Sequence, residues 1–230
     1  DQWGNITAGI DLIRKAQGGS AFAITYPLIT RADGTKLGKS TGGSIWLDKK
    51  KTPPFAFYQY WLNVSDEEAL RYLALFTLLK KDEILKLSTE HQRNPGKRIA
   101  QKMLAAEVTT LVHGRDELRQ AERITSALFE SRIEALREKD LEQLSLDGLQ
   151  KSFLGEDRSL ISALVSAGLA QTPKGEVTIG QARKLIQGKS ISVNGKKITD
   201  IEARLERSNA LYGKYFLVQK GKKTHCLFVG

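Results

Sequence analysis

The hydrophobic rhythm of the chain changes twice, and no single repeating layer satisfies all three patterns. Up to residue 47, an amphipathic helix gives way to a short apolar run and then to a glycine-rich stretch. Through residues 48–137 the apolar positions keep a helical spacing. From residue 156 to residue 230, two short helices precede alternating and apolar runs of strand length. A 230-residue chain with this pattern is expected to be multidomain, with an α/β start, an all-α middle and a small α+β end. Residues 138–155 are polar, carry turn signals at Asp147-Gly148 and Gly155, and are expected to be a linker.

Local signals fill in each segment. Asn5 is a candidate N-cap for a helix with Ile6, Ile10 and Ile13 on one face, ended by Gly18-Gly19. Ala21 to Tyr26 reads as a buried strand limited by Pro27, and residues 33–43 read as a loop. These pieces are part of an α/β layer, too short to bury a core alone. In the middle, Pro53-Pro54 marks a helix start and Ser65-Asp66-Glu67-Glu68 is a capping box. Asn94-Pro95-Gly96 interrupts the helices, and Gly114 ends a long one. The next helix, from about Arg115 to Phe129, alternates in charge as a solvated face would. Toward the end, Ser159 and Thr178 are helix caps and Asn194-Gly195 signals a tight hairpin. Tyr215 to Val218 and Cys226 to Val229 are expected to close as a strand pair.

Composition removes several classes. One cysteine, Cys226, forms no intrachain disulfide, and its apolar strand makes it a core residue. No apolar run approaches the roughly 18 residues of a membrane span. The N-terminus has neither the basic nor the apolar region of a signal peptide. It also lacks an initiator Met, so the chain is expected to be a piece of a longer protein. His91 and His225 have no partner at ligand spacing, so no metal site is expected, and His113 reads as a helix C-terminal residue favoured by the macrodipole. The net charge is +10, divided as +2 over residues 1–47, +1 over 48–155 and +7 over 156–230. Arg183, Lys184, Lys189, Lys196, Lys197, Lys222 and Lys223 supply much of that last excess, with Lys220 beside them. Such a set makes an electrostatic footprint for a phosphate backbone. Any one of these lysines alone reads equally as a solubilising surface residue.

Two short motifs carry the chemistry. Lys36-Leu37-Gly38-Lys39-Ser40 places two lysines three apart in a glycine-rich loop. Paired ammonium groups on such a loop can stabilise charge building on an α-phosphoryl group and departing pyrophosphate. It is not a Walker loop, because Asp33 stands where the first glycine is required. Taken alone, the stretch is equally a solvated basic loop. Asp1-Gln2-Trp3-Gly4-Asn5 is the second motif. A carboxylate can accept from both ribose hydroxyls and an amide can orient a carbonyl, although a helix cap reads just as well.

Together with Ile6-Thr7-Ala8-Gly9 and Pro27-Leu28-Ile29-Thr30, these motifs resemble the bacterial and organellar tyrosyl-tRNA synthetases of class I. The lysine loop is similar to their KMSKS signature, and Ala105 to Gly114 is similar to the long helix of their helical domain. The resemblance runs along the whole chain in order. It implies the end of a Rossmann-like catalytic domain over residues 1–47 and a helical anticodon-binding domain over 48–137. A linker over 138–155 and an RNA-binding domain like that of ribosomal protein S-four over 156–230 complete the expected map. It implies that Lys36 and Lys39 stabilise the reacting phosphates and that Gly38, Lys39 and Ser40 bind ATP. Asp1 would hold the adenylate ribose and Gln2 the tyrosyl group. The implied partners are ATP with Mg2+, tyrosine and tRNA(Tyr), with a homodimer for the intact enzyme, no membrane and a cytoplasmic or mitochondrial setting. Arg93, Lys97, Arg98 and Lys102 are additional candidates for tRNA contact. The HIGH-like motif and most of the tyrosine pocket are absent, so this chain alone is expected to be inactive. The alternative is a non-catalytic RNA-binding protein derived from a synthetase and acting through residues 156–230.

Overall fold

The computed structural model describes residues 2–37, 45–129, 132–221 and 224–230, without the side chains of residues 147 and 148. The chain divides into two units, Asp1–Ser44 and Ile45–Gly230.

In the first unit, α1 (Gln2–Gln17) starts earlier than the Asn5 cap would allow. The turn around Asn5 is already helical, and the Thr7 hydroxyl donates to the Trp3 and Gly4 carbonyls at 3.1 and 3.0 Å. As expected, the helix stops at Gly18, whose amide donates to the Arg14 carbonyl at 3.0 Å. Residues 21–26 do not form the expected buried strand. They join no ladder, and Phe22 is 96% exposed. A buried strand needs neighbours to take its amides and carbonyls, and the described residues of this unit supply none to that segment.

The second unit begins with helices. Pro54 opens α2 (Pro54–Leu62) without wasting an amide. Ser65 and Glu68 form the expected capping box at α3 (Asp66–Phe76). Then follow α4 (Lys81–Arg93), α5 (Ile99–His113) and α6 (Arg115–Phe129). Aromatic side chains fill the middle of this layer. Trp61 lies 6.1 Å from Phe57, 6.1 Å from Tyr72 and 5.2 Å from Phe76, with the first two contacts edge-on. Packing of this kind, added to burial, holds α2 against α3, and both helices pack on α5.

The segment expected to be a linker is folded. It forms α7 (Glu138–Gln143), a π-helical turn over 144–148 and β1 (Gln150–Phe153). Its polarity misled because Asp140, fully buried, is paired with Arg123 of α6 while Leu141 and Leu144 enter the core.

Beyond it come α8 (Leu160–Ser166), α9 (Ile179–Gln187), β2 (Ile191–Val193), β3 (Lys196–Lys197), β4 (Tyr215–Lys220) and β5 (Thr224–Val229). Ser159 and Thr178 cap α8 and α9 as expected. The sheet order is β1-β5-β4-β2-β3, antiparallel except for the β1–β5 pair. Phe216, Val218, Cys226 and Phe228 pack with Leu160, Leu164, Ala182 and Ile186 of the two helices. Leu217 and Leu227, of opposite parity, are buried too. On that second side the His225 ring meets Phe129 of α6 edge-on at 6.0 Å. The sheet is therefore covered on both faces, once by its own helices and once from the helical layer.

Candidate functional site

The first motif is built on a tight hairpin. Leu37 donates its amide to Ile29 at 3.1 Å, Arg31 to Thr35 at 2.7 Å, and Thr30 pairs with Lys36. At the tip, Gly34 has a φ of +81°, a backbone setting that disfavours side chains. Asp33 accepts from the Thr35 amide at 2.9 Å and from its hydroxyl at 2.6 Å. The hydroxyl bond, then the amide bond, holds the Asp33 carboxyl below its ordinary range. Lys36 is consequently fixed at the backbone and exposed at the side chain. Among the described residues its ammonium makes no ion pair, so it can meet phosphate oxygens without first losing such a partner. Gln2 opens α1 and is exposed. Asp1, Gly38, Lys39 and Ser40 lie outside the described residues.

The second candidate is the basic end of the chain. Arg183 and Lys184 are exposed on α9, and Lys189 follows it in a left-handed conformation with φ +55°. Gly221 donates to the Ser190 carbonyl at 2.9 Å, and Ile191 pairs with Lys220. The structure thus brings Lys189 beside the β4–β5 turn, in which Lys222 and Lys223 lie outside the described residues. Lys196 and Lys197 are exposed on β3, at the sheet edge. Their hairpin turn packs elsewhere: Gly195 approaches Ile133, and Asn194 donates to the Asn209 carbonyl at 2.8 Å. The five described residues of the set make no ion pair among the described residues. Lys220 is different. Its ammonium donates to the Leu169 carbonyl at 2.7 Å, tying β4 to the end of α8.

Among the helical candidates, Arg93, Lys97 and Lys102 are exposed. Arg98 has a structural task, donating to the Leu62 carbonyl at 2.6 Å and so closing the end of α2. His91 is buried 3.1 Å from an Asp66 carboxylate oxygen. His113 does end α5, and desolvation by burial lowers its pKa, which disfavours the cation expected at a helix C-terminus. Its ring packs edge-on against Phe57 at 4.7 Å. Cys226 is fully buried, and desolvation raises its thiol pKa to about 11.

Residues 1–130 match the family described as class I tRNA synthetases (W and Y). The chain belongs to this family. Residues 140–228 of this class I synthetase chain match the tyrosine–tRNA ligase SYY-like C-terminal domain. It is 47% identical to the tyrosine–tRNA ligase of Geobacillus stearothermophilus over 99% of its own length and 53% of that protein. It is 45% identical to the tyrosine–tRNA ligase of Escherichia coli (strain 55989 / EAEC), over 99% of this chain and 52% of that one. A solved structure, a C-terminally truncated Coccidioides posadasii mitochondrial tyrosyl-tRNA synthetase, aligns with TM-score 0.43 and 37% identity, covering 52% of this chain and 36% of that chain. The chain spans about half the length of the curated relatives it matches.

One feature of the synthetase chain carried no motif in the sequence. Lys49, Lys50, Lys51 and Lys139 line a groove of about 690 Å3 between the α2 entry and α6–α7. The lysine triplet was visible in sequence, but the near-neutral balance of residues 48–155 hid it, and Lys139 is brought in only by folding. No helix among the described residues is long and apolar enough to cross a membrane.

Proposed function

We propose that this chain is the C-terminal portion of a tyrosine–tRNA ligase. The observation that carries the reading is the order of the two matches, a class I synthetase over residues 1–130 followed by a tyrosine–tRNA ligase C-terminal domain over 140–228. The intact enzyme joins tyrosine and ATP into tyrosyl-adenylate, releasing pyrophosphate, and then passes the tyrosyl group to the 3′ end of tRNA(Tyr). Lys36 and Lys39 stabilise charge developing on the α-phosphoryl group and pyrophosphate. Gly38 lets the loop approach ATP, and Ser40 donates to a phosphate oxygen. Asp1 accepts from the adenylate ribose, and Gln2 orients the tyrosyl group. Mg2+ enters with ATP as part of the substrate. The segment to residue 47 ends the catalytic domain, residues 48–137 serve the anticodon arm, and residues 156–230 hold RNA by charge. The intact enzyme acts as a homodimer, and its relatives support a bacterial cytoplasmic setting.

Lys36, exposed and without an ion pair among the described residues, and the exposed described residues of the basic set in the last segment support these roles. Two measurements test them. In the full-length enzyme, Lys36→Ala and Lys39→Ala are expected to slow tyrosine-dependent ATP–pyrophosphate exchange by about 100- to 1,000-fold, the usual loss for one transition-state donor. The 230-residue chain itself is expected to bind tRNA(Tyr) in a salt-dependent manner and to catalyse no exchange. Exchange by this chain alone would overturn the expectation that it is inactive by itself, and binding indifferent to salt would overturn the role given to the basic last segment.

A further inference from the structure

The lysine groove has the construction of a binding surface. Its first wall is a turn fixed by Asp48, whose side chain accepts from the Lys50 amide at 2.9 Å. The Asp48 carbonyl accepts from the amides of Lys51 and Thr52 at 2.9 and 3.0 Å. Thr52 in turn accepts from the Trp46 amide at 3.0 Å. The three lysines therefore leave a backbone that is already ordered, which lowers the entropy lost when a ligand engages them.

The charges of this groove are unevenly matched. Its acids are Glu117 and Glu142. Glu117 is 3.8 Å from Lys49, and Glu142 is 4.0 Å from Lys214. Lys51 stands 4.2 Å over the exposed Trp46 ring, a contact that leaves its charge uncancelled. Lys50 and Lys139 make no ion pair among the described residues. Three cations thus face one groove in a segment whose total is only +1.

A second observation concerns Gln143, which lines the same groove. It is 9% exposed, and its side-chain oxygen is buried without a hydrogen-bond partner among the described residues. A buried acceptor without a donor carries a cost that a hydroxyl from a ligand removes. Phosphate oxygens only accept, so they do not satisfy Gln143. A ribose 2′-hydroxyl does once the amide turns its oxygen into the groove, and it is the group that separates RNA from DNA.

We propose that this groove seats an RNA backbone, with Lys50, Lys51 and Lys139 on phosphates and Gln143 on a 2′-hydroxyl. This rests on the reading of the chain as a tRNA-binding part of a synthetase, and it adds a contact area separate from the basic residues of the last segment.

The test uses the full 230-residue chain, a tRNA(Tyr) transcript, and fluorescence anisotropy across a salt series. The Lys50→Ala/Lys51→Ala/Lys139→Ala variant should lower the slope of log affinity against log salt by about 2–3, roughly one for each lost phosphate contact. At about 0.1 M salt this corresponds to an affinity loss of at least tenfold. Gln143→Leu should leave that slope unchanged and reduce the preference for RNA over DNA of the same sequence several-fold. An unchanged thermal midpoint in each variant verifies folding. Lys196→Ala/Lys197→Ala provides the comparison. If that variant weakens binding while the groove variants match the parent, the groove assignment fails and the synthetase reading stands. If the parent chain binds no tRNA, both fail. Titration with inorganic phosphate separates a free-anion site from an RNA site. Phosphate binding that the triple variant abolishes, with tRNA affinity unaltered, overturns the proposal.

Discussion

Asp140 shows how a single residue can decide whether a segment folds. Arg123 donates to both of its carboxylate oxygens at 2.7 Å, and the Arg137 amide adds a third bond at 2.8 Å. Asp140→Ala would leave the mostly buried Arg123 guanidinium without its counter-charge. The expected loss is about 3–5 kcal/mol, read as a lower urea midpoint at unchanged slope. From sequence, Arg123 looked like part of a solvated, alternating face, because its partner is 17 residues away and no local spacing connects them. Cys226, by contrast, was legible as core from its apolar neighbours alone. With its thiol pushed up to about 11, it should resist alkylation at pH 8 and react at an ordinary thiol rate once the chain is unfolded in urea. Asp157 provides a pH-dependent contact. The Ser162 hydroxyl, then the Ser159 amide and hydroxyl, hold its carboxyl below the usual range. Because the folded-state pKa is the lower one, this contribution is complete above the unfolded value near 4 and is lost as pH falls through the folded value. The amide protection factor at the start of α8, which divides out the intrinsic pH dependence of exchange, should therefore fall in acid, and Asp157→Asn should flatten that dependence.

Elements defined by local chemistry were readable from the chain. The Ser65 capping box, the Asn94-Pro95-Gly96 break and the Asn194-Gly195 turn each impose a backbone geometry through two to four neighbouring residues. Elements defined by distant partners were not. Residues 21–26 have strand composition but no strand to pair with among the described residues, whereas polar β1 is a strand because β5 lies alongside it in parallel register. A similar distinction separates the two halves of the candidate site. Lys49, Lys50 and Lys51 adjoin in sequence and were hidden only by the near-neutral balance around them, whereas Lys139 is brought to the groove by folding alone. Gly195 joins the local and distant levels. Its φ is +80°, and a Cβ there would lie 3.2 Å from Ile133. Gly195→Ala should cost about 1–2 kcal/mol from the left-handed backbone alone, and somewhat more from the contact. A thermal melt measures the loss, and exchange at Ile133 should rise with it.

Across the whole molecule, stability is concentrated on one side of residue 45. Among the described residues no side chain before Thr52 is buried, and α1 contains none. Deleting residues 1–44 should therefore leave the thermal midpoint within about 2 °C of the parent. The helical layer and the sheet should melt together. Tyr212 donates to the Leu136 carbonyl at 2.8 Å, and Lys214 pairs with Glu138 at 2.7 Å. Calorimetry should accordingly give one transition for residues 45–230, and two separated transitions would contradict it. The position of β5 between β1 and β4 has a further consequence during synthesis. Both of its neighbours emerge from the ribosome first, and neither pairs with the other. Until residues 224–229 are translated, β1 has no ladder and β4 has one open flank. A premature stop only a few codons before that strand would remove an inner stave of the sheet and expose two β-edges to aggregation.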